Sequence, residues 1–148
     1  MTPSPTLEGE TQILGRHELA IASEDDVVVV RRKVKALAQA RGFDGFAAAA
    51  VTTAVSEIAR NAWVYGGGGT AVVEELWDGA RYGLRLEVRD SGPGIPDVSR
   101  VLSGGYSTAR SLGLGLSGSK RLVDEFAIES QVGWGTVVRM TKWARFSA

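Results

Sequence analysis

Polar and apolar residues alternate from Thr11 to Ala22, with His17, Leu19 and Ile21 on one side, which predicts a first β-strand. The period then changes. Val27, Val30, Val34 and Leu37 recur at helical spacing behind Ser23, a residue suited to cap a helix. Glu24, Asp25 and Asp26 fill the first turn, where free N–H groups favour negative charge. Gly42 ends this helix, and Asp44 is placed to cap a second one reaching about Tyr65, with Val51, Val55, Ile58, Ala62 and Tyr65 as its apolar stripe. A neighbouring stripe, Ala50, Ala54, Glu57 and Asn61, lies about 100° round the axis. The glycines at 66–69 stop the helix. Two strands are expected at Thr70–Trp77 and Tyr82–Asp90, joined by a turn at Asp78-Gly79. Residues 91–112 hold no sustained period and predict a long loop, of the kind that commonly forms an active-site lid. A helix from about Leu114 to Phe126 follows, then strands at Ala127–Val132 and Thr136–Trp143 that meet at Gly133-Trp134-Gly135. This mixed order of strands and helices predicts a two-layer α/β sandwich, one domain over residues 11–148 with a flexible tail at 1–10.

Composition narrows the chemistry. Lys plus Arg and Asp plus Glu number 17 each, so no net field favours a nucleic-acid backbone. Arg31, Arg32, Lys33 and Lys35 read as the solvated face of the first helix. No apolar run approaches the roughly 20 residues of a membrane helix, and Met1-Thr2-Pro3-Ser4-Pro5 lacks the basic flank and apolar core of a secretory signal. The absence of cysteine removes disulfides and thiolate metal sites and suits a reducing, cytoplasmic setting. His17 is the one histidine and reads as an edge residue of its strand, so Ser-His-Asp catalysis and a histidine-bound zinc are not expected. Acid–base work would fall to carboxylates, and a metal would be a hard ion held by oxygen.

Four stretches carry the candidate chemistry. Glu57 and Asn61 stand one helical turn apart, about 6 Å along the axis. An amide oxygen suits magnesium, which takes few protein ligands when nucleotide phosphates complete its shell. A solvated amphipathic helix presents the same pair. Asp90 shares the parity of Leu84, Leu86 and Val88, which puts a carboxylate on an apolar face, where it needs a donor such as the amino group of adenine. The other reading is an Asp that starts the turn at Ser91-Gly92. Gly92 and Gly94 permit close backbone approach to a flat ring. Gly113-Leu114-Gly115 is expected to open a helix whose free N–H groups suit phosphate. It is neither a Rossmann motif nor a P-loop. Thr136, in register of parity with Val138 and Met140, is expected on the same interior side as Asp90.

In combination these motifs resemble the Bergerat ATP-binding fold shared by histidine kinases, gyrase-type ATPases and anti-sigma factor kinases. The stretches Thr52–Asn61, Gly92–Asp97 and Lys120–Phe126 are most similar to the small serine/threonine-protein kinases that switch the bacterial stressosome, the RsbT type. The resemblance spans about residues 18–143. It implies a mixed, mostly antiparallel sheet with helices on one face. It also implies transfer of the γ-phosphoryl group of ATP, with Mg²⁺, to a serine or threonine of a STAS-domain protein, and activation of a PP2C-type phosphatase or another downstream regulator. Glu57 matches the catalytic carboxylate and Asn61 the magnesium ligand. Asp90, Gly92, Gly94 and Thr136 match the adenine pocket, and Gly113 and Gly115 match the lid glycines. Ser107, Thr108 and Arg110 fall in the lid, with Arg110 within reach of the γ-phosphate. The alternative the resemblance leaves open is an anti-sigma factor kinase that sequesters a sigma factor. No phosphoacceptor helical domain of a histidine kinase and no second domain of a gyrase-like ATPase is expected in a chain of this length.

Overall fold

The computed structural model describes residues 11–103 and 110–145, with residues 110–114 described by their backbone alone. The expected tail at 1–10 lies outside these residues. In chain order the elements are β1 (Gln12–Ile21), α1 (Glu24–Ala40), α2 (Gly45–Val64), β2 (Gly69–Trp77), β3 (Tyr82–Asp90), α3 (Val98–Leu102), α4 (Arg110–Leu122), β4 (Glu125–Gln131) and β5 (Gly135–Trp143). The strands form a five-stranded sheet in the order β1-β2-β3-β5-β4. Each pairing is antiparallel, so no parallel pair occurs among the described strands.

One sheet face is apolar because the strand period places every second residue there. Val73 pairs with Leu86, Leu86 with Met140, and Met140 with Phe126, so these side chains share the face that α1 and α2 cover. The opposite face carries an ion-pair ladder: Arg85 to Glu74 at 2.6 Å, Arg139 to Glu87 at 2.8 Å and Arg139 to Glu129 at 3.4 Å. The exposed Arg139 pairs add little stability and Arg85–Glu74 is more sheltered, but together they keep that face polar.

Both helix caps form as expected. Ser23 accepts from Asp26 N at 3.2 Å and Asp44 from Ala47 N at 2.8 Å. In α1 the buried positions are Val30, Val34 and Ala38, with Val27 and Leu37 packed at the margin. Along α2, Val51, Val55, Ile58 and Ala62 are buried against the sheet, whereas Tyr65 is the C-cap residue and is partly exposed, not part of the stripe. The second stripe also has a partner: α4 lies against it, and the buried Ser119 hydroxyl donates to Ala54 O at 3.2 Å. At the β2–β3 turn, Asp78 accepts from Ala80 N and Arg81 N at 3.0 and 2.9 Å, and Gly79 takes φ of 97°.

Two boundaries differ from expectation. Helix α4 starts at Arg110 and ends at Leu122, earlier at both ends than 114–126, and β4 starts at Glu125 instead of Ala127. Pairing is the reason: Glu125 stands opposite Thr141 and Phe126 opposite Met140, so the ladder claims residues a helical reading assigns to the preceding element. The 91–112 segment likewise contains α3, capped by Asp97, which accepts from Arg100 N at 3.1 Å.

His17 lies on the edge strand β1 and meets Glu75 at 2.7 Å, while Arg41 at the end of α1 meets the same carboxylate at 2.9 Å. Gly15 stands opposite Glu75, and a Cβ there would fall on the carboxylate. Burial pushes the Glu75 pKa up, but hydrogen bonds and charge from His17 and Arg41 outweigh it and hold the group below its ordinary value of 4.5. A depressed folded value means that this clamp stabilises the fold above about pH 4.5 and fades as pH falls through the lower folded value. Glu75→Ala is therefore expected to cost about 1–3 kcal/mol at pH 7, by leaving the partly buried His17 and Arg41 groups without their acceptor. Urea melts at pH 7 and pH 3 check it: the gap between wild type and variant should shrink at the lower pH.

Candidate active site

Three segments remote in sequence meet at one end of the sheet. The first is the second half of α2, with Glu57 and Asn61 on the stripe facing α4. The Asn61 side-chain nitrogen is buried and has no hydrogen-bond partner among the described residues. An orphaned buried amide of this kind costs about 1–3 kcal/mol, which a ligand could recover. Gly115 of α4 lies directly on the pair: a Cβ there would stand 3.1 Å from Glu57 Oε1 and 3.3 Å from Asn61 Nδ2. Its place corrects the expectation for Gly113 and Gly115. The helix opens three residues before Gly113, so Gly113 falls in its first turn instead of at its start, and Gly115 lies inside it with its N–H in the helical ladder instead of pointing freely at phosphate. What Gly115 provides is close approach of α4 to the acidic and amide side chains.

The second segment is the end of β3 and the turn after it. Asp90 stands opposite Thr136 on one side and Gly69 on the other, and the parity expected for Asp90 and Thr136 holds. The half-buried Asp90 carboxylate accepts from Gly92 N at 2.9 Å. Burial raises its pKa above 3.8, against the lowering effect of the backbone N–H groups of Gly92 and Thr136. The packing around it admits no side chain. A Cβ on Gly66 would collide with Asp90, and one on Gly92 would collide with the backbone of Gly66. Gly66 follows α2 directly, where the Asn61 carbonyl accepts from Tyr65 N and Gly66 N. The end of the Glu57–Asn61 helix and the Asp90 turn are thus in contact through glycine.

The third segment is the β4–β5 hairpin. Gly94 takes φ of 83° and a Cβ on it would strike the Gln131 carbonyl. Pro93 O accepts from Gly133 N at 2.9 Å. Ser130, absent from the candidates chosen by sequence, joins these parts. Its hydroxyl lies 2.7 Å from the Thr136 hydroxyl and 3.0 Å from Gly135 O, and receives Ile95 N at 2.8 Å. The available signal was its parity: Ser130 follows Phe126 and Ile128 on the inward side of β4, a polar residue at a position otherwise apolar.

Glu57, Asn61, Gly115, Asp90, Gly92, Gly94 and Thr136 are accordingly grouped around one end of the sheet. Ser107 and Thr108 lie outside the described residues. Arg110 and Gly113 are placed by backbone only, as the first and fourth residues of α4. No group of three or more His, Asp or Glu suited to hold a metal occurs among the described residues. A lone carboxamide fits only an ion that draws most of its ligands from phosphate and water, and this is the manner of magnesium on a nucleotide.

The chain matches the family model described as histidine kinase-like ATPase domain over residues 21–142. It is 42% identical over 125 residues to the serine/threonine-protein kinase RsbT of Bacillus subtilis (strain 168), covering 84% of this chain and 94% of that protein. It is also 32% identical over 99 residues to the anti-sigma F factor of Thermoanaerobacter sp. (strain X514), covering 63% of this chain and 68% of that protein. The anti-sigma F factor of Geobacillus stearothermophilus is 32% identical over 100 residues, 62% of this chain and 66% of its own length.

The raised pKa of Asp90 carries a test that needs no ligand. A raised folded value means that the ionised carboxylate costs stability, a cost absent below pH 3.8 and felt as pH rises through the folded value. Asp90→Asn keeps an acceptor for Gly92 N and removes the charge. The ligand-free variant is expected to be as stable as wild type or more so at pH 7, with the advantage gone at pH 3. Thermal melts at the two pH values measure it.

Proposed function

The chain belongs to the histidine kinase-like ATPase domain family and, within it, to the RsbT-type serine/threonine-protein kinases, and from that premise we propose that it transfers the γ-phosphoryl group of ATP to a serine or threonine of a STAS-domain protein. The observation that carries the reading is the convergence of Glu57, Asn61 and Gly115 with the Asp90 turn, on a fold whose kinase relative it covers almost end to end.

The roles follow from chemistry. Asp90 accepts the exocyclic amino group of adenine, an interaction that relieves its desolvation and rejects bases without that donor. Gly92 and Gly94 bring backbone against the ring, and Thr136, held by Ser130, completes the pocket. Asn61 is the protein ligand for Mg²⁺, whose charge, when it is bound, offsets that of the phosphates. By resemblance to the family, Ser107, Thr108, Arg110 and Gly113 are assigned to ATP binding. In the reaction the acceptor hydroxyl oxygen forms a bond to the γ-phosphorus, the bond to ADP breaks, and the hydroxyl proton leaves towards Glu57 or water. A loose transition state asks for positioning more than for a strong base, so Glu57 mainly orients the hydroxyl, with base assistance of about 10²–10⁴-fold.

Phosphorylation of the STAS protein releases the kinase, which then engages a second partner such as a PP2C-type phosphatase in a cytoplasmic stress-signalling pathway. Among the described residues no helix is long and apolar enough to cross a membrane. The anti-sigma factor reading is supported by the similarity to anti-sigma F factors, at lower identity and over a smaller share of the chain.

The test is to incubate the protein with Mg²⁺ and γ-labelled ATP together with STAS proteins encoded beside it, and a sigma subunit as the competing partner. Label on a STAS serine or threonine is expected, and capture of the sigma subunit would favour the alternative. Glu57→Ala is expected to bind ATP normally while transfer falls about 10²-fold or more. Asn61→Ala should lose the Mg²⁺-dependent part of nucleotide binding by calorimetry. Normal labelling by Glu57→Ala removes that residue from the mechanism.

A further inference from the structure

The end of α2 opposite the Glu57–Asn61 pair borders a separate groove. It is about 730 Å³ in volume and lies between the first turns of α2, the last turn of α4 and the end of β5. Phe46 and Asn61 are fifteen residues apart on one helix, or roughly 22 Å at 1.5 Å per residue. None of the residues assigned to nucleotide lines the groove.

The lining has two components. Ala47, Ala50 and Thr53 form a floor of small side chains, with Trp143 as a wall. Phe46 stands at the mouth and is 82% exposed, so a large aromatic ring is held in water beside an apolar trough. Around it are Arg81, Arg121, Lys142 and Arg145, with Asp124 in the lining and Asp78 and Asp44 paired to two of the cations from outside it, so the excess of positive charge rests on Arg121. Arg81 is committed within the fold, to Asp78 at 3.2 Å and over the Trp143 ring at 4.7 Å, whereas Lys142 meets Asp124 only at 3.7 Å and Arg145 meets Asp44 at 3.3 Å. Arg121 is exposed on the last turn of α4 and has no ion pair among the described residues. Such screened pairs are worth at most about 1 kcal/mol, so an incoming carboxylate can exchange with them at little cost.

We propose that this groove docks an acidic amphipathic segment of a partner protein, with an aromatic or branched aliphatic side chain seated against Phe46 and the alanine floor and carboxylates on Arg121 and Arg145. The charge balance of the rim selects an acidic partner, and the apolar floor selects a protein segment over a phosphate backbone, which would ask for a broad cationic field. Aromatic and arginine side chains are also the types that dominate binding energy at interfaces. The proposal stands apart from the nucleotide reading, since the groove shares no residue with that site.

The probe is a random dodecapeptide library panned on the full-length chain, with Arg121→Glu/Arg145→Glu protein as the counter-selection. The pool is expected to enrich an aromatic or aliphatic residue flanked by Asp or Glu. The leading peptide, titrated into ¹⁵N-labelled protein, should shift the resonances of Phe46, Thr53 and the Trp143 indole. Its affinity should fall about 10-fold or more in Phe46→Ala and in Arg121→Glu, the size of one lost anchor, and should weaken with added salt. ATP binding measured on the same variants should stay unchanged, which separates loss of docking from any failure of the nucleotide site. Enrichment of basic or uncharged peptides, or shifts confined to the Asp90 turn, overturns the proposal. So does a dimer of the free chain that Phe46→Ala dissolves, since the face would then belong to a second copy.

Discussion

The half-buried carboxylate at the end of β3 is the constraint around which this structure is arranged. Removing a carboxylate from water is costly, and two backbone N–H groups, from Gly92 and Thr136, offset only part of that cost at Asp90. Bringing those donors in requires the chain to pass close on both sides. Gly66 must lack a side chain because Asp90 occupies its space, and Gly92 must lack one because Gly66 does. The helix before Gly66 therefore has to end at Val64, and its last turns, with Asn61, are drawn against the carboxylate turn. One partly compensated charge thus sits where a helix stops and where Gly66 and Gly92 have no room for a side chain.

Small side chains carry that logic along the helix. Ala47, Ala54, Ala59 and Ala62 are buried in α2, and they let it settle closely on its neighbours without leaving voids. On the adjacent stripe Gly115 does the same for α4. A Cβ there would stand 3.1 Å from Glu57 Oε1 and 3.3 Å from Asn61 Nδ2, so glycine lets the helix over the site lie on these two side chains without displacing them. At the other end of the sheet the Glu75 clamp ties β1 and β2 to the end of α1. The two devices differ in kind: the clamp satisfies its charge within the fold, while the site leaves an amide nitrogen and a carboxylate partly unsatisfied.

Much of this was legible from residue order because the strand period is strict. Leu84, Leu86 and Val88 point inward, so Asp90 must as well, and the same reasoning placed Thr136 beside it. The helix stripes of α2 were equally readable, since both have partners, one in the sheet and one in α4. What escaped was set by contacts between distant segments. Gly113 and Gly115 look like a helix start because glycine is a poor helix former. The helix runs through them because Gly115 is needed where α4 touches α2. Phe126 looks helical beside Leu122 and Val123, but pairing with Met140 makes it strand. Ser130 has no motif around it, and its importance appears only when the turn at Ile95 and the hydroxyl of Thr136 are brought to it.

The length of α2 also separates two tasks. The residues assigned to nucleotide lie at its carboxyl end and the mouth of the cationic, aromatic groove at its amino end, with Phe46 roughly 22 Å from Asn61. From Phe46 to Glu57 is about 16 Å along the helix, which an extended segment spans with about five residues, so one partner can be held at the groove while another part of it meets Glu57. Binding energy gained at the groove is the same before and during phosphoryl transfer. It therefore acts on which partner is held and how tightly, and leaves the rate of the chemical step to the glycine-lined end. A protein that must exchange partners gains from this division, because the surface that chooses a partner can change without disturbing the pocket that Asp90 organises.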